Sequence, residues 1–335
     1  MNKKNNIKVI PIAMLLFMVI AHGVWAQEKL AQTGMQFLSV TPDARAAAMG
    51  DAMTTVENYS SALFSNPAML TERGEMIDVM FSQNNWIADI RHNAIGLAYR
   101  PAGGVYGVFA VSVMAVDYGE IEGTIISNNE LGYLETGMIS PNAYAIGIGY
   151  ARSLSEKFSI GGQIKYVNQN LGPAAVALYN DPYSLKMVYN DISVFGFDFG
   201  TIYKTGYKSL AFGMSVRNFS KEIVYNKEGF QLPMVFSIGV SMNLAELFPE
   251  EYRSEHLLFT VDAIHPRSHY EQVKLGLEYT YLELLSLRAG FISDADEQAF
   301  TYGIGIQQFG LVFDYAYTPF GVFDKVQRFT LRFAM

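Results

Sequence analysis

From Met76 to the last residue, large apolar side chains recur at every second position. Val273, Leu275, Leu277, Tyr279 and Tyr281 fall on one face, with Gln272, Lys274, Glu278 and Thr280 on the other. Phe300, Tyr302, Ile304 and Ile306 alternate with Thr301, Gly303, Gly305 and Gln307. Leu311, Phe313, Tyr315 and Tyr317 alternate with Val312, Asp314, Ala316 and Thr318, and Phe195, Phe197 and Phe199 with Gly196, Asp198 and Gly200. A period of two marks strands whose two faces meet different surroundings. The pattern divides into fourteen segments: 76–84, 92–101, 105–117, 142–153, 158–170, 192–204, 210–219, 234–244, 256–265, 270–281, 285–293, 300–308, 310–319 and 327–335. Most exceed the ~5–6 residues usual for soluble strands and match the ~9–11 that a tilted strand needs to cross a bilayer. The stretch 105–117 alternates poorly, and the pattern assigns no faces to it.

Connection lengths alternate as well. One set comprises 85–91, 118–141, 171–191, 220–233, 266–269, 294–299 and 320–326; the other comprises 102–104, 154–157, 205–209, 245–255, 282–284 and a tight turn near Phe309. Long outer loops over short periplasmic turns, with an even strand number, describe a bacterial outer-membrane barrel. Segments 245–255 and 266–269 depart from the rule. In lipid only a closed barrel satisfies every strand N–H and C=O, so the apolar face must point outward. Lys165, Asp198, Lys274, Glu278, Arg288, Asp314, Arg328 and Arg332 then fall on the lumen face. Gly147, Gly149, Gly303 and Gly305 fall there too and leave room for something inside. The expected fold is an all-β membrane protein, a 14-stranded antiparallel transmembrane β-barrel with an N-terminal helical hatch.

The terminal strand carries the sharpest local pattern. Phe329, Leu331, Phe333 and Met335 alternate with Arg328, Thr330, Arg332 and Ala334 to the end of the chain. It resembles the C-terminal strand read by the barrel assembly machinery, with Met where Phe is usual. These residues are expected to close the barrel against 76–84.

The chain before Met76 reads differently. Lys3, Lys4 and Lys8 precede an apolar run to Ile20, and Val24-Trp25-Ala26 offers a small-x-small cleavage site. Residues 1–26 read as a secretory signal, the run being short for a spanning anchor of ~20 residues. Residues 27–75 have helical character over 43–49 and 57–65 and an Asn66-Pro67 break. They are too few for a core of their own. Inside the barrel they would form a hatch; outside it they would be a periplasmic tail. The expected divisions are 1–26 signal, 27–75 hatch and 76–335 barrel.

Composition narrows function. The 335 residues carry net charge −8, no Cys, 21 Tyr and 23 Phe. An acidic chain lacks the basic stripe of a nucleic-acid binder. Absence of Cys removes disulfides, thiolate metal sites and a lipid-anchoring cysteine. His265 and His269 flank Pro266-Arg267-Ser268 in what reads as a hairpin loop, so they read as solvated histidines rather than metal ligands. The acidic run Asp294, Asp296 and Glu297 reads as a solvated loop before a Ca²⁺ site. His92, His256, Ser193 and Ser237 lack recognisable catalytic settings, and the Gly-x-Gly sequences at 147–149 and 303–305 precede no helix. No enzyme, cofactor or metal is expected.

One resemblance is specific. The order Gly34-Met35-Gln36-Phe37-Leu38, then Pro42-Asp43-Ala44-Arg45-Ala46-Ala47-Ala48-Met49-Gly50-Asp51-Ala52, then Ser65-Asn66-Pro67-Ala68-Met69-Leu70 resembles the PorV/PorQ family of Bacteroidota-type bacteria. The middle run resembles PorV and the last one PorQ. That family is related in fold to FadL fatty-acid transporters. The resemblance implies a hatch motif at Arg45, Gly50, Asn66, Pro67 and Ala68. It also implies an outer-membrane location and type IX secretion components and secreted cargo as partners, besides membrane lipid. The alternative is FadL-like passive uptake of a hydrophobic compound, and a weaker one a lipid-modifying enzyme. Ile125, Ile126, Tyr133, Leu134, Tyr179, Tyr183, Tyr225 and Phe230 in the outer loops would suit a protein partner.

Overall fold

The computed structural model describes residues 32–72, 74–178, 181–225, 228–248, 256–295, 298–323 and 325–335, the side chains of 177–185 and of Phe323 excepted. The proposed signal at 1–26 lies outside them. Eighteen strands follow in order: β1 Ile77–Asn85, β2 Arg91–Tyr99, β3 Val108–Asp117, β4 Ile121–Ile126, β5 Tyr133–Ile139, β6 Asn142–Ser153, β7 Phe158–Leu178, β8 Asp181–Lys204, β9 Ala211–Ser220, β10 Ile223–Tyr225, β11 Glu228–Phe230, β12 Val235–Asn243, β13 His256–Pro266, β14 Gln272–Tyr281, β15 Leu285–Ile292, β16 Phe300–Gln308, β17 Leu311–Pro319 and β18 Lys325–Ala334. Fourteen of them close into one antiparallel barrel. The pairs β4–β5 and β10–β11 are separate two-stranded sheets within the long connections.

Closure follows the alternation. β18 pairs with β1, Leu331 opposite Phe81 and Arg332 opposite Met80. The backbone of Met335 adds the last bonds, its carbonyl accepting from Met76 and Ile77 at 2.8 and 2.9 Å. Phe329, Leu331, Phe333 and Met335 are exposed to the outside, while Arg328, Thr330 and Arg332 are buried in the lumen. The same inversion runs round the wall. Phe195, Phe199, Ile304, Tyr302 and Leu277 face out, and Lys165, Asp198, Glu278, Arg288 and Asp314 face in, buried.

β3, whose faces the pattern left unassigned, alternates too. Phe109 and Val111 face out; Val108, Ala110, Ser112, Met114 and Val116 face in. Its lumen face is apolar because it packs on apolar chain inside the barrel, Leu63 and Leu70 at one level and Met35, Phe37 and Leu38 at another.

The short turns gather on one rim with both barrel ends. Between β16 and β17 only Phe309 and Gly310 intervene, both with positive φ, the twist that a two-residue hairpin demands. The other rim is taller. β7 and β8 run on to 21 and 24 residues, well past the bilayer span, where a loop over 171–191 was expected. The expected loops 118–141 and 220–233 contain the β4–β5 and β10–β11 hairpins.

Candidate functional site

The lumen is filled by residues 33–72, which thread it as short turns of helix. Gln36–Ser39, Tyr59–Phe64 and Pro67–Glu72 are 3₁₀ turns, and Ala44–Ala48 is a single α-helix, α1. Alanines suit α1 because its small side chains let the backbone approach β15–β18. Asp43 caps it, accepting from the Arg45 N–H at 3.3 Å. Gly50 ends it in the left-handed conformation, φ 63°, donating to Ala47 O and to Thr301 Oγ1 on the wall. A side chain there would press on the backbones of Phe291 and Leu275 at about 3 Å, and the left-handed φ favours glycine in any case.

Charged groups weld α1 to the wall. The Arg45 guanidinium donates to both Glu278 oxygens, from Nε at 2.8 Å and Nη2 at 2.7 Å, and from Nη1 to the Glu57 carbonyl. Arg288 also binds Glu278, and its Nη1 reaches Asp314 at 2.7 Å. The network Arg45–Glu278–Arg288–Asp314 is buried throughout. Mutual pairing of these buried charges gives them a structural part, with Arg45, Glu278 and Arg288 also lining a cavity. Arg332 stands beside it, over the Tyr59 ring at 4.6 Å and bonded to Ser61 at 3.0 Å.

Asn66, Pro67 and Ala68 face the opposite wall. Asn66 Nδ2 donates to the Thr54 and Thr201 carbonyls at 2.7 and 3.1 Å, and Oδ1 accepts from the Ala68 N–H at 3.1 Å. Asn66 thus starts the Pro67–Glu72 turn rather than merely interrupting a helix. The turn packs on β6, β7 and β8. Gly161 and Gly200 make room for it, since a Cβ at Gly200 would collide with Asn66 Oδ1. Gly149 and Gly303 do the same for Leu63 and Ala48. The five motif residues therefore form two anchors on opposite sides of the barrel, not one site.

Further anchors had no local motif. Asp262 accepts from Thr54 N and Oγ1, and Asp78 from Ser60 N. The only signal for Asp78 and Asp262 was a carboxylate at a lumen-facing position. At the tall rim Lys165 binds Asp198 at 2.8 Å beside a bulge, where Arg217 and Asn218 of β9 stand opposite Asp198 of β8. Asn218 takes φ 60° and donates its N–H to Asp198, so the bulge is filled by bonded side chains.

Open space lies toward the short turns. Cavities of about 350 and 270 Å³ share Arg45, Glu57 and His256 and reach Glu283 and Lys208. Toward the tall rim, Met35, Phe37 and Leu38 join Met114, Val116, Val167 and Val194 in an apolar cluster, beside which lies a cavity of about 30 Å³.

His265 Nδ1 lies 3.0 Å from Glu271 and His269 bonds Ser268, its neighbour in the same exposed loop. Among the described residues, no three His, Asp or Glu side chains gather as a metal site. Asp296 and Glu297 lie outside those residues, as do Tyr179 and the side chain of Tyr183. Ile126, Tyr133 and Leu134 are exposed on the tall rim. Phe230 is not a free partner surface: it packs against Gly34 and the outer apolar cluster, where Gln231 holds the chain at Gly34. Tyr225 is half-buried, bonded to Asn190.

Solved structures of similar architecture include the Ralstonia pickettii toluene transporter TbuX, 13% identical over 87% of this chain and 96% of that one, with a TM-score of 0.55. The Pseudomonas putida toluene transporter TodX is 13% identical over 91% and 98%, TM-score 0.55. A Pseudomonas aeruginosa FadL homologue is 12% identical over 87% and 98%, TM-score 0.50. At such identities the likeness is one of fold. No curated protein sequence matches the chain. The family of the type IX secretion system protein PorV matches residues 24–246, more than half of the chain, and the chain belongs to that family.

Proposed function

We propose that this outer-membrane barrel serves type IX secretion as a non-enzymatic docking protein, receiving secreted cargo or other components on its tall rim in a Bacteroidota-type cell. Residues 1–26 would direct export, the assembly machinery would read β18, and lipid would cover the apolar wall. Residues 27–75 would act as a hatch, with Arg45 and Gly50 as one anchor and Asn66, Pro67 and Ala68 as the other. The tall rim is then extracellular and the short turns periplasmic.

One observation carries the reading: residues 33–72 lie in the lumen bonded to opposite walls, Arg45 to Glu278 and Asn66 to Thr201, while the long connections fold into ribbons with exposed apolar side chains. A passive channel for hydrophobic compounds needs an apolar space near its outer mouth. A cavity of ~150 Å³ holds a benzene; the space beside the outer apolar cluster is about 30 Å³. The larger cavities are lined by charge and face the other way. Deleting the gene in its own host tests the reading. Loss of type IX cargo from the surface and medium is the expected result; undiminished secretion rejects it.

A further inference from the structure

The β4–β5 hairpin is unlike the rest of the tall rim. It is a two-stranded sheet with no third strand among the described residues, and an isolated ribbon of this kind is marginal in water. Its base rests on β7, where Ile139 lies against Gly172, yet it exposes large apolar groups: Ile126 is 96% exposed and Leu131 73%, with Ile121, Tyr133, Leu134 and Met138 also exposed. Cross-strand pairs Ile125–Leu134 and Ile126–Tyr133 place several of them together at its tip.

Its charge is one-sided. Glu120, Glu122, Glu130 and Glu135 are all exposed, and no Lys, Arg or His occurs between Tyr118 and Pro141. The other two long outer connections, 171–191 and 220–233, carry charges of both signs, Lys186 with Asp181 and Asp191 in one and Lys221 with Glu222 in the other. Four carboxylates would be repelled by anionic lipid headgroups, so the apolar residues are not there to lie on the membrane. Open strand edges offer backbone N–H and C=O groups in the geometry that accepts an added strand.

We propose that the β4–β5 hairpin binds an extended, cationic and apolar strand of a protein partner by β-strand addition. This rests on the docking reading above and adds the element and the chemistry. Apolar side chains of the incoming strand cover Ile126, Leu131 and Tyr133, while its Lys or Arg residues meet the glutamates. Such charge pairing speeds encounter and rejects acidic strands.

The test uses the full mature chain in neutral detergent and a labelled peptide of about ten residues alternating Val and Lys, with a Val-Glu counterpart. The Lys peptide should bind at least about tenfold tighter, and more weakly as salt rises. Amide exchange should slow in 121–126 or 133–139. The variant Glu120→Lys/Glu122→Lys/Glu130→Lys/Glu135→Lys should prefer the Glu peptide, and the matching Gln variant should prefer neither. Equal binding of both peptides, a preference indifferent to these variants, or protection confined to other segments overturns the proposal. The docking reading fails separately: deletion of the gene would then leave secretion intact whatever the peptides do.

Discussion

Arg45 of α1 and Glu278 of β14 form a two-pronged ion pair between plug and wall, with N–O distances of 2.8 and 2.7 Å. Removing one member of a buried pair strands the other, at ~3–5 kcal/mol. Glu278 also serves Arg288, so Glu278→Ala takes its carboxylate from Arg45 and leaves Arg288 with Asp314 alone, whereas Arg45→Ala leaves Glu278 paired with Arg288. Denaturant unfolding in detergent should rank Glu278→Ala as the more destabilising. Limited proteolysis should find the plug cleaved in both variants while the strands resist.

Asn66 and Gly200 are matched by shape. Asn66→Ala gives up two donor bonds to carbonyls and the acceptor for Ala68, a loss of about 2–3 kcal/mol. Gly200→Ala drives a methyl into Asn66. If the two act on one contact, the double variant will be less destabilised than the sum of the singles. Additive unfolding free energies would place the two effects elsewhere.

Leu331 faces outward on the closing strand, opposite Phe81. Leu331→Arg puts a charge against lipid at a cost of ~2–4 kcal/mol near mid-bilayer. Val322→Arg, outside the strands and 85% exposed, should cost almost nothing. Heat-modifiable migration on gels reads both: folded barrel should fall for Leu331→Arg and hold for Val322→Arg.

Most of the wall was legible because lipid and lumen impose opposite chemistry on alternate residues, a local signal. The terminal strand is the clearest instance, Phe329 to Met335 reading outward as expected. β3 was obscure because Met114 and Val116 face the apolar part of the plug instead of a polar lumen. The β4–β5 hairpin reads as a loop since exposure on both faces leaves no period, and β10–β11 does because strands of three residues are too short to show one. Phe230 was misread because the chain that covers it, at Gly34, is nearly two hundred residues away in sequence. The same distance problem hid the pairing of Arg45 with Glu278 and of Thr54 with Asp262. The motif named Arg45, Gly50, Asn66, Pro67 and Ala68 without revealing that they grip opposite walls.

The central claim is that the barrel works by docking at its rim with the plug in place. The chain has no cysteine, so a lock can be built cleanly. A Cβ at Gly96 of β2 would lie 3.1 Å from Ser60 Cβ of the plug, within a small adjustment of the ~3.5–4.5 Å a disulfide spans. The Ser60→Cys/Gly96→Cys variant, oxidised in cells lacking the native gene, should secrete type IX cargo as well as when reduced. Secretion that stops on oxidation, while the Ser60→Cys single variant still secretes, would contradict the account, because the plug would then have to leave for the protein to work.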